Sequence, residues 1–83
     1  MHKFRELETI ILTHDIKDHG LREGDMGAVV NVYGNGEAGE VEFVTAKGRT
    51  VALLTLNSSD VRSVENNDVL HVRGFNPISS ANL

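Results

Sequence analysis

Glycine interrupts every short apolar run in the segment GDMGAVVNVYGNGEAGEVEF, which covers residues 24–43. The runs between these glycines have the length of β-strands and are too short for helices of ordinary length. Glycine adopts the positive φ angles that tight turns and bulges require. We therefore interpret the glycines as corner residues of a curved hairpin. Two would end a loop and three would turn between strands: Gly24 and Gly27, then Gly34, Gly36 and Gly39.

Five short segments have the β-branched or alternating composition of strands. The clearest is EVEFV, where Val41 and Phe43 alternate with two glutamates and Phe43 is expected in the core. In MGAVVNVY, strict alternation would place Met26, Ala28, Val30 and Val32 on one face, with Val29 and Tyr33 on the other. The predicted strands are residues 7–14, 26–33, 40–44, 49–56 and 68–73. VALLTL at 51–56 is uncharged and predicts a central barrel strand; the alternative is an exposed patch that includes Val29 or Leu54.

The connections between these strands complete the predicted fold. Residues 15–25 form a long loop, TAKG at 45–48 a hairpin loop, and NSSDVRSV at 57–64 a single helical turn capped by Asn57 or Ser58. This order predicts an all-β, five-stranded SH3-like barrel with one short helical turn before the last strand; a five-stranded OB-type barrel has a similar strand count. We expect residues 1–74 to form one domain and residues 75–83 a flexible C-terminal tail.

Composition excludes several classes of function. The 83 residues contain no cysteine, which excludes a disulfide framework, a thiolate nucleophile and cysteine-based zinc sites. The net charge is -4 and the eight basic residues are dispersed, whereas nucleic-acid binding needs a concentrated positive patch. No apolar stretch approaches the roughly 20 residues that span a bilayer, and no signal-peptide core follows the first five residues. We therefore expect a soluble, cytoplasmic protein that does not bind a membrane and for which nucleic acid is a disfavoured partner.

The motifs that could carry catalysis fit structural roles better. The glycine-rich stretch precedes a strand, whereas a dinucleotide-binding site requires a helix at that point. His14, Asp15, Asp18 and His19 cluster around a loop without the spacing of metal ligands on a helix. The serines in residues 58–63 lack a nucleophile-elbow pattern. The sequence therefore predicts no enzyme, with no catalytic residue, no metal and no cofactor.

Residues 19–64 carry five separated blocks that resemble a widespread family of small bacterial proteins known only as a domain of unknown function. The family pattern is G-L-x-x-G-D-x-G-T-V-V-x-V-Y, then G-E-A-Y-E-V-E-F, then a hairpin, then A-L-L-T-L and a short D-[VL]-R turn; Ala28 and Gly39 depart from it. The G-D-x-G-x-V step is distantly similar to KOW segments, to a nitrogenase-maturation accessory protein and to the nitrile hydratase beta-subunit barrel. The resemblance implies an SH3-like barrel and an antitoxin-like or accessory role beside a neighbouring gene product.

Glu37, Glu40 and Glu42 form an acidic edge on the second predicted hairpin. Complementary charge governs how two proteins meet and in which register they bind, so these glutamates indicate a basic partner protein. We therefore predict a non-enzymatic protein-interaction module, and homo-oligomerisation stays open. The alternative is a nucleic-acid or ribosome-associated KOW-like barrel, which would need a contiguous basic face that includes Lys47, Arg49 and Arg62. The candidate partner-binding residues are Tyr33, Asn35, Glu37, Glu40 and Glu42 on the hairpin, with Asp18, His19, Arg22 and Glu23 in the loop.

Overall fold

A computed structural model describes residues 2–76 of the chain as five antiparallel strands in one sheet. The strands are β1 (Thr9–Leu12), β2 (Met26–Tyr33), β3 (Ala38–Val44), β4 (Thr50–Asn57) and β5 (Val61–Ser63), and one short 3-10 helix, Lys17–His19, lies in the loop after β1. The predicted all-β class and the number of strands are confirmed. Within residues 2–76, no helix is long and apolar enough to cross a membrane.

The sheet curls because a very short link joins its two edge strands. The strand order is β4-β3-β2-β1-β5, so β4 and β5 lie at opposite edges. In a flat sheet these edges would be about 19 Å apart, because neighbouring strands lie about 4.8 Å apart. The link, residues 58–60, spans at most about 14 Å when fully extended. It is in fact a tight turn, in which the Asp60 N–H donates to the Asn57 carbonyl at 3.0 Å. The edges must therefore approach each other, which is compatible with a small barrel-like fold.

Most strand bounds lie close to the predicted ones. β2 has the predicted bounds, β1 is shorter at both ends, β3 begins two residues earlier, and β4 is shifted by one residue. The predicted hairpin loop after β3 is confirmed, since the Thr45 N–H donates to the Arg49 carbonyl at 2.9 Å and Gly48 has a φ of 84°. β4 is an edge strand, so its interpretation as a central strand is wrong. The alternative, an exposed patch that includes Val29 or Leu54, is also wrong. Val29 is fully buried and Leu54 packs against the core, whereas the neighbouring Leu53 is 52% exposed.

The last strand and the helical turn are not where the sequence placed them. β5 is formed by residues 61–63 and pairs with β1, with Val61 opposite Leu12. Residues 58–60 form a turn without helix, and residues 68–73 have no regular secondary structure. Burial explains the difference, because Val61 is 3% exposed, whereas Val69 and Val72 are 90% and 98% exposed. The predicted tail from residue 75 lies mostly outside the described residues, which end at residue 76.

The core fills the inside of the curled sheet. Val29 of β2 lies opposite Val41 of β3, and both are 0% exposed, as is Ile10 of β1. Phe4 joins this core from the segment before β1, and its N–H donates to the Gly36 carbonyl at 2.9 Å. The N-terminal segment therefore contributes to the core although it is not a strand. The buried cluster comprises Phe4, Ile10, Leu12, Leu21, Val29, Val41, Phe43, Ala52, Leu56 and Val61, and the expected burial of Phe43 is confirmed.

Two strand glycines make room for core side chains. A Cβ at Gly39 would lie 2.5 Å from Cδ1 of Phe4, and a Cβ at Gly27 would lie 2.5 Å from Cγ1 of Val41. Both distances are far below van der Waals contact. Neither residue has a positive φ, so the interpretation of Gly27 and Gly39 as corner residues is wrong. It is confirmed at three positions, where the φ angles are 92°, 62° and 92°: Gly24, Gly34 and Gly36.

We expect Gly39→Ala to destabilise the protein by about 1–3 kcal/mol, because the added methyl group overpacks the site against the Phe4 ring. Urea denaturation followed by circular dichroism measures this loss. The matched control is Gly74→Ala, since a Cβ at Gly74 has no heavy atom within 4 Å, and its effect should stay within about 0.5 kcal/mol. Equal losses in the two variants would contradict the packing role of Gly39.

Candidate functional site

The structure separates the candidate residues into two groups. The hairpin turn at residues 34–37 lies at one end of β3 and is closed by the pair Tyr33 and Ala38. Asp18 and His19 lie beside the other end of β3, where they line a cavity of about 420 Å³ with Thr45 and Arg49. The seven residues of β3 span about 20 Å. The hairpin tip and the loop therefore do not form one site.

Glu40 and Glu42 lie on the outer side of the sheet, opposite to the core. In the strand register, Glu42 lies between Ala28 and Leu53, and Glu40 lies between Asn31 and Thr55. Both glutamates are half-buried. The Thr50 hydroxyl donates to Oε2 of Glu42 at 2.7 Å, which fixes that carboxylate. Exposed apolar side chains accompany the two carboxylates. We define the acidic outer face as Val30, Tyr33, Glu40, Glu42 and Leu53.

A β-bulge determines which residues reach this face. The register between β2 and β3 shifts between Val29 and Asn31. Val30 is consequently exposed by 39%, whereas Val32 packs against the core on the same side as Val29. Strict alternation placed Val30 and Val32 on one face, and this was wrong because the bulge adds a residue. Tyr33 is 41% exposed, as expected from its position at the end of the strand.

The remaining candidates are exposed on two loops. Asn35 and Glu37 are exposed at the hairpin tip. In the loop after β1, two aspartates hold the backbone. The Glu23 N–H donates to Asp15 at 2.8 Å, and the Arg22 N–H donates to Asp25 at 2.8 Å. Four loop side chains are thereby displayed at the surface: Asp18, His19, Arg22 and Glu23.

Arg73 forms an ion pair with this loop that sequence analysis missed. Its Nε donates to Oδ1 of Asp25 at 2.8 Å, and its Nη2 donates both to Oδ2 of Asp25 at 2.5 Å and to the Gly20 carbonyl at 3.0 Å. Burial acts to raise the pKa of Asp25, but the hydrogen bonds from Arg73 and the Arg22 backbone, with the Arg73 charge, outweigh it. The pKa of Asp25 therefore lies below its usual value. The two residues are 48 apart in sequence, and no local pattern relates them.

The basic residues of the alternative function are not contiguous. Lys47 and Arg49 belong to the hairpin before β4, whereas Arg62 lies in β5, after the other end of β4. The Arg62 guanidinium donates two hydrogen bonds of 2.9 Å to the Asp68 carboxylate. This fork lowers the pKa of Asp68 to about 2. The charge of Arg62 is thus already paired within the chain.

The histidines are dispersed along the fold: His14, His19 and His71 are exposed, whereas the His2 side chain is only 8% exposed and contacts the Glu8 carboxylate at 2.9 Å. His14 lies between the backbone carbonyl of Asp15 and the Asp60 carboxylate, each at 2.8 Å, and the hydrogen bond with Asp60 is the main cause of its raised pKa. It thereby connects the end of β1 to the turn after β4. Across residues 2–76, no three His, Asp or Glu side chains are grouped so that they could hold a metal ion.

The fold and these positions can be compared with known proteins. Residues 6–63 match the model of a family described as Domain of unknown function (DUF4926). The chain belongs to this family. The matched region contains all five strands, whereas Arg73 and the rest of residues 64–76 lie outside it. The comparisons with curated proteins and with solved structures gave no match.

We expect Asp25→Asn to lower the free energy of unfolding at pH 7, with a loss that fades below about pH 4. The folded pKa of Asp25 lies below the unfolded value of about 3.9, so the stabilisation is present above that value. It disappears as the pH falls through the folded pKa. Urea denaturation of both proteins at several pH values measures the difference. Asp18→Asn, at an exposed position of the same loop, is the control. A loss that does not change with pH would contradict the ion pair's role.

Proposed function

We propose that this DUF4926 protein is a non-enzymatic interaction module that binds a basic partner protein through the acidic outer face. One observation carries the proposal: three exposed apolar side chains accompany two half-buried carboxylates on one side of the sheet. Exposed apolar clusters bordered by polar groups are typical of protein–protein contact surfaces. The face combines a source of affinity with a source of charge selectivity.

Each component of the face has a distinct physical task. Leu53, Val30 and Tyr33 would lose water-accessible apolar area on contact, which supplies favourable free energy. Glu40 and Glu42 would attract a lysine or arginine and fix the register of the partner. The hydrogen bond from Thr50 holds Glu42 in place, so less side-chain freedom is lost on binding. These tasks need no reacting group, which is why the proposal is a binding function.

The more specific form of the proposal is an antitoxin-like or accessory role beside a neighbouring gene product, in the cytoplasm. It follows from the family resemblance described above, and a fold by itself carries no function. The KOW-like alternative has less support, because Arg62 is paired with Asp68 and lies away from Lys47 and Arg49. A homo-oligomer would place the same face against a second acidic chain, which disfavours this face for self-association.

Removal of the two carboxylates tests the face. We expect Glu40→Gln with Glu42→Gln to weaken binding of the partner by about tenfold or more, because the basic residues of the partner lose their counter-charges. A tagged full-length chain is used to capture binding proteins from its native cell, with the neighbouring gene product as the first candidate. Affinity for the purified partner is then measured at about 50 mM and about 300 mM salt, where screening differs strongly.

The matched control is Asp18→Asn with Glu23→Gln, which changes the net charge by the same two units at exposed loop positions. This variant should keep the affinity of the unmodified chain. The proposal fails if both double variants lose affinity equally, or if the captured partner is acidic. Loss of capture after nuclease treatment would favour the KOW-like alternative.

A further inference from the structure

The chain after β5 returns to an apolar cleft at one end of the barrel. The cleft lies between the loop after β1 and the β3–β4 hairpin, and a cavity of about 490 Å³ remains between these elements and the returning segment. Its barrel side is mainly apolar and includes Leu21, Met26, Phe43 and Val51. Residues 71–73 and Phe75 line the opposite side. An apolar cleft with a few fixed polar groups is the usual form of a ligand site.

Arg73 occupies the polar end of this cleft. Its guanidinium meets both oxygens of the Asp25 carboxylate and the Gly20 carbonyl, at 2.5 to 3.0 Å. The side chains of Arg73 and Asp25 are only 21% and 12% exposed. Such a two-point contact requires the planar fork of arginine, because a lysine ammonium is a point charge. The geometry of this contact on the barrel therefore fits arginine better than lysine.

Phe75 provides the second contact, two residues later. A Cβ at Gly20 would lie 3.1 Å from Cε1 of the Phe75 ring, so only glycine leaves this ring its full space. Gly20 also has a φ of 70°, which favours glycine at this position. Phe75 lines both this cleft and the neighbouring cavity that includes His19. The barrel therefore receives an arginine and an aromatic ring in a fixed spacing.

The rest of the segment is held weakly. Among the described residues, no backbone hydrogen bond joins residues 69–76 to the barrel. Val69, Leu70 and Val72 are 90%, 61% and 98% exposed. A strap whose purpose was to complete the core would bury its aliphatic side chains, whereas this one inserts Arg73 and Phe75 and leaves the aliphatic residues in water. Segments with so few buried contacts open at low free-energy cost.

The residues of the cleft and the segment that contacts it lie on different sides of the boundary of the family match. Gly20, Leu21 and Asp25 lie within the region that matches DUF4926, and Arg73 and Phe75 lie outside it. The receptor groups are thus part of the family domain, while the occupying segment is not. The arrangement is that of a domain with a peptide seated on it.

We propose that this cleft is a peptide-recognition site for an extended segment of a partner protein that carries an arginine and, two residues later, an aromatic residue. Residues 71–75 are the resident segment, which a partner displaces. The cleft is at the end of the barrel that carries the β3–β4 hairpin loop, apart from the acidic outer face. A binding role for the cleft therefore does not depend on the function proposed for that face.

A labelled peptide with the sequence of residues 68–76, DVLHVRGFN, is the probe. It is titrated by fluorescence anisotropy into the full-length chain and into the full-length double variant Arg73→Gln with Phe75→Ala. The double variant should bind the peptide, and the unmodified chain should bind it at least about tenfold more weakly, because the tethered resident segment competes at high effective concentration. A peptide with Arg73→Lys should bind the double variant at least about tenfold more weakly than the original peptide.

Arg62→Gln is the matched control, because it breaks the ion pair between Arg62 of β5 and Asp68 and leaves the contacts of Arg73 and Phe75 unchanged. It should bind the peptide as weakly as the unmodified chain. Circular dichroism verifies the fold of each variant, and Arg73→Gln alone opens the same site if the double variant unfolds. Amide chemical shifts should change at Gly20, Asp25 and Val51 when peptide is added.

Three results would overturn the proposal. A folded variant with an open cleft that does not bind the peptide would make residues 71–75 a structural strap only. Equal affinity of the unmodified chain and the double variant would place the binding elsewhere on the surface. Equal affinity for the arginine and lysine peptides would remove recognition by the Asp25 fork.

Discussion

The three-residue turn between β4 and β5 is the constraint on which this structure depends. It connects the outermost strands of the sheet, and the sheet can satisfy it only by curling. A curled sheet of such short strands encloses little volume, so every core side chain competes for space. Gly27 and Gly39 are the result, since side chains there would occupy the positions of Val41, Phe43 and Phe4. The short turn thus requires the curvature, and the curvature requires glycine at these two positions.

The same curvature gives the protein two distinct surfaces. The convex outer side of β2, β3 and β4 displays carboxylates together with the side chain that the bulge at Val30 turns outward. The hairpin-loop end of the barrel is instead concave and apolar, with Asp25 as its fixed charge. The two surfaces differ in charge and in shape, so the two contacts proposed above would not overlap.

The strands whose sequence pattern repeats over many residues could be predicted. β2 and β3 have eight and seven residues, which is enough for glycine boundaries and alternation to be informative, and their positions were nearly correct. β5 has three residues and carries no periodic signal, so the more apolar segment at 68–73 was preferred to it. Strand formation there depends on a partner: β1 pairs with residues 61–63. The bulge at Val30 was also missed. Because one added residue reverses the faces after it, the residues of β2 that follow the bulge were assigned to the wrong side of the sheet.

The candidate site was predictable only in its local parts. Exposure of Tyr33 at the strand end and of the hairpin tip follows from nearby sequence. The contact of Arg73 with Asp25 and Gly20 joins residues about fifty positions apart, and only the folded chain brings them together.

The position of β4 at the edge of the sheet has a further consequence. Within residues 2–76 it pairs only with β3, and it offers an uncharged edge of eight residues. The unpaired backbone groups of such an edge can form hydrogen bonds with any extended chain. Crowding and the rate of synthesis should therefore affect how often this protein associates with other chains.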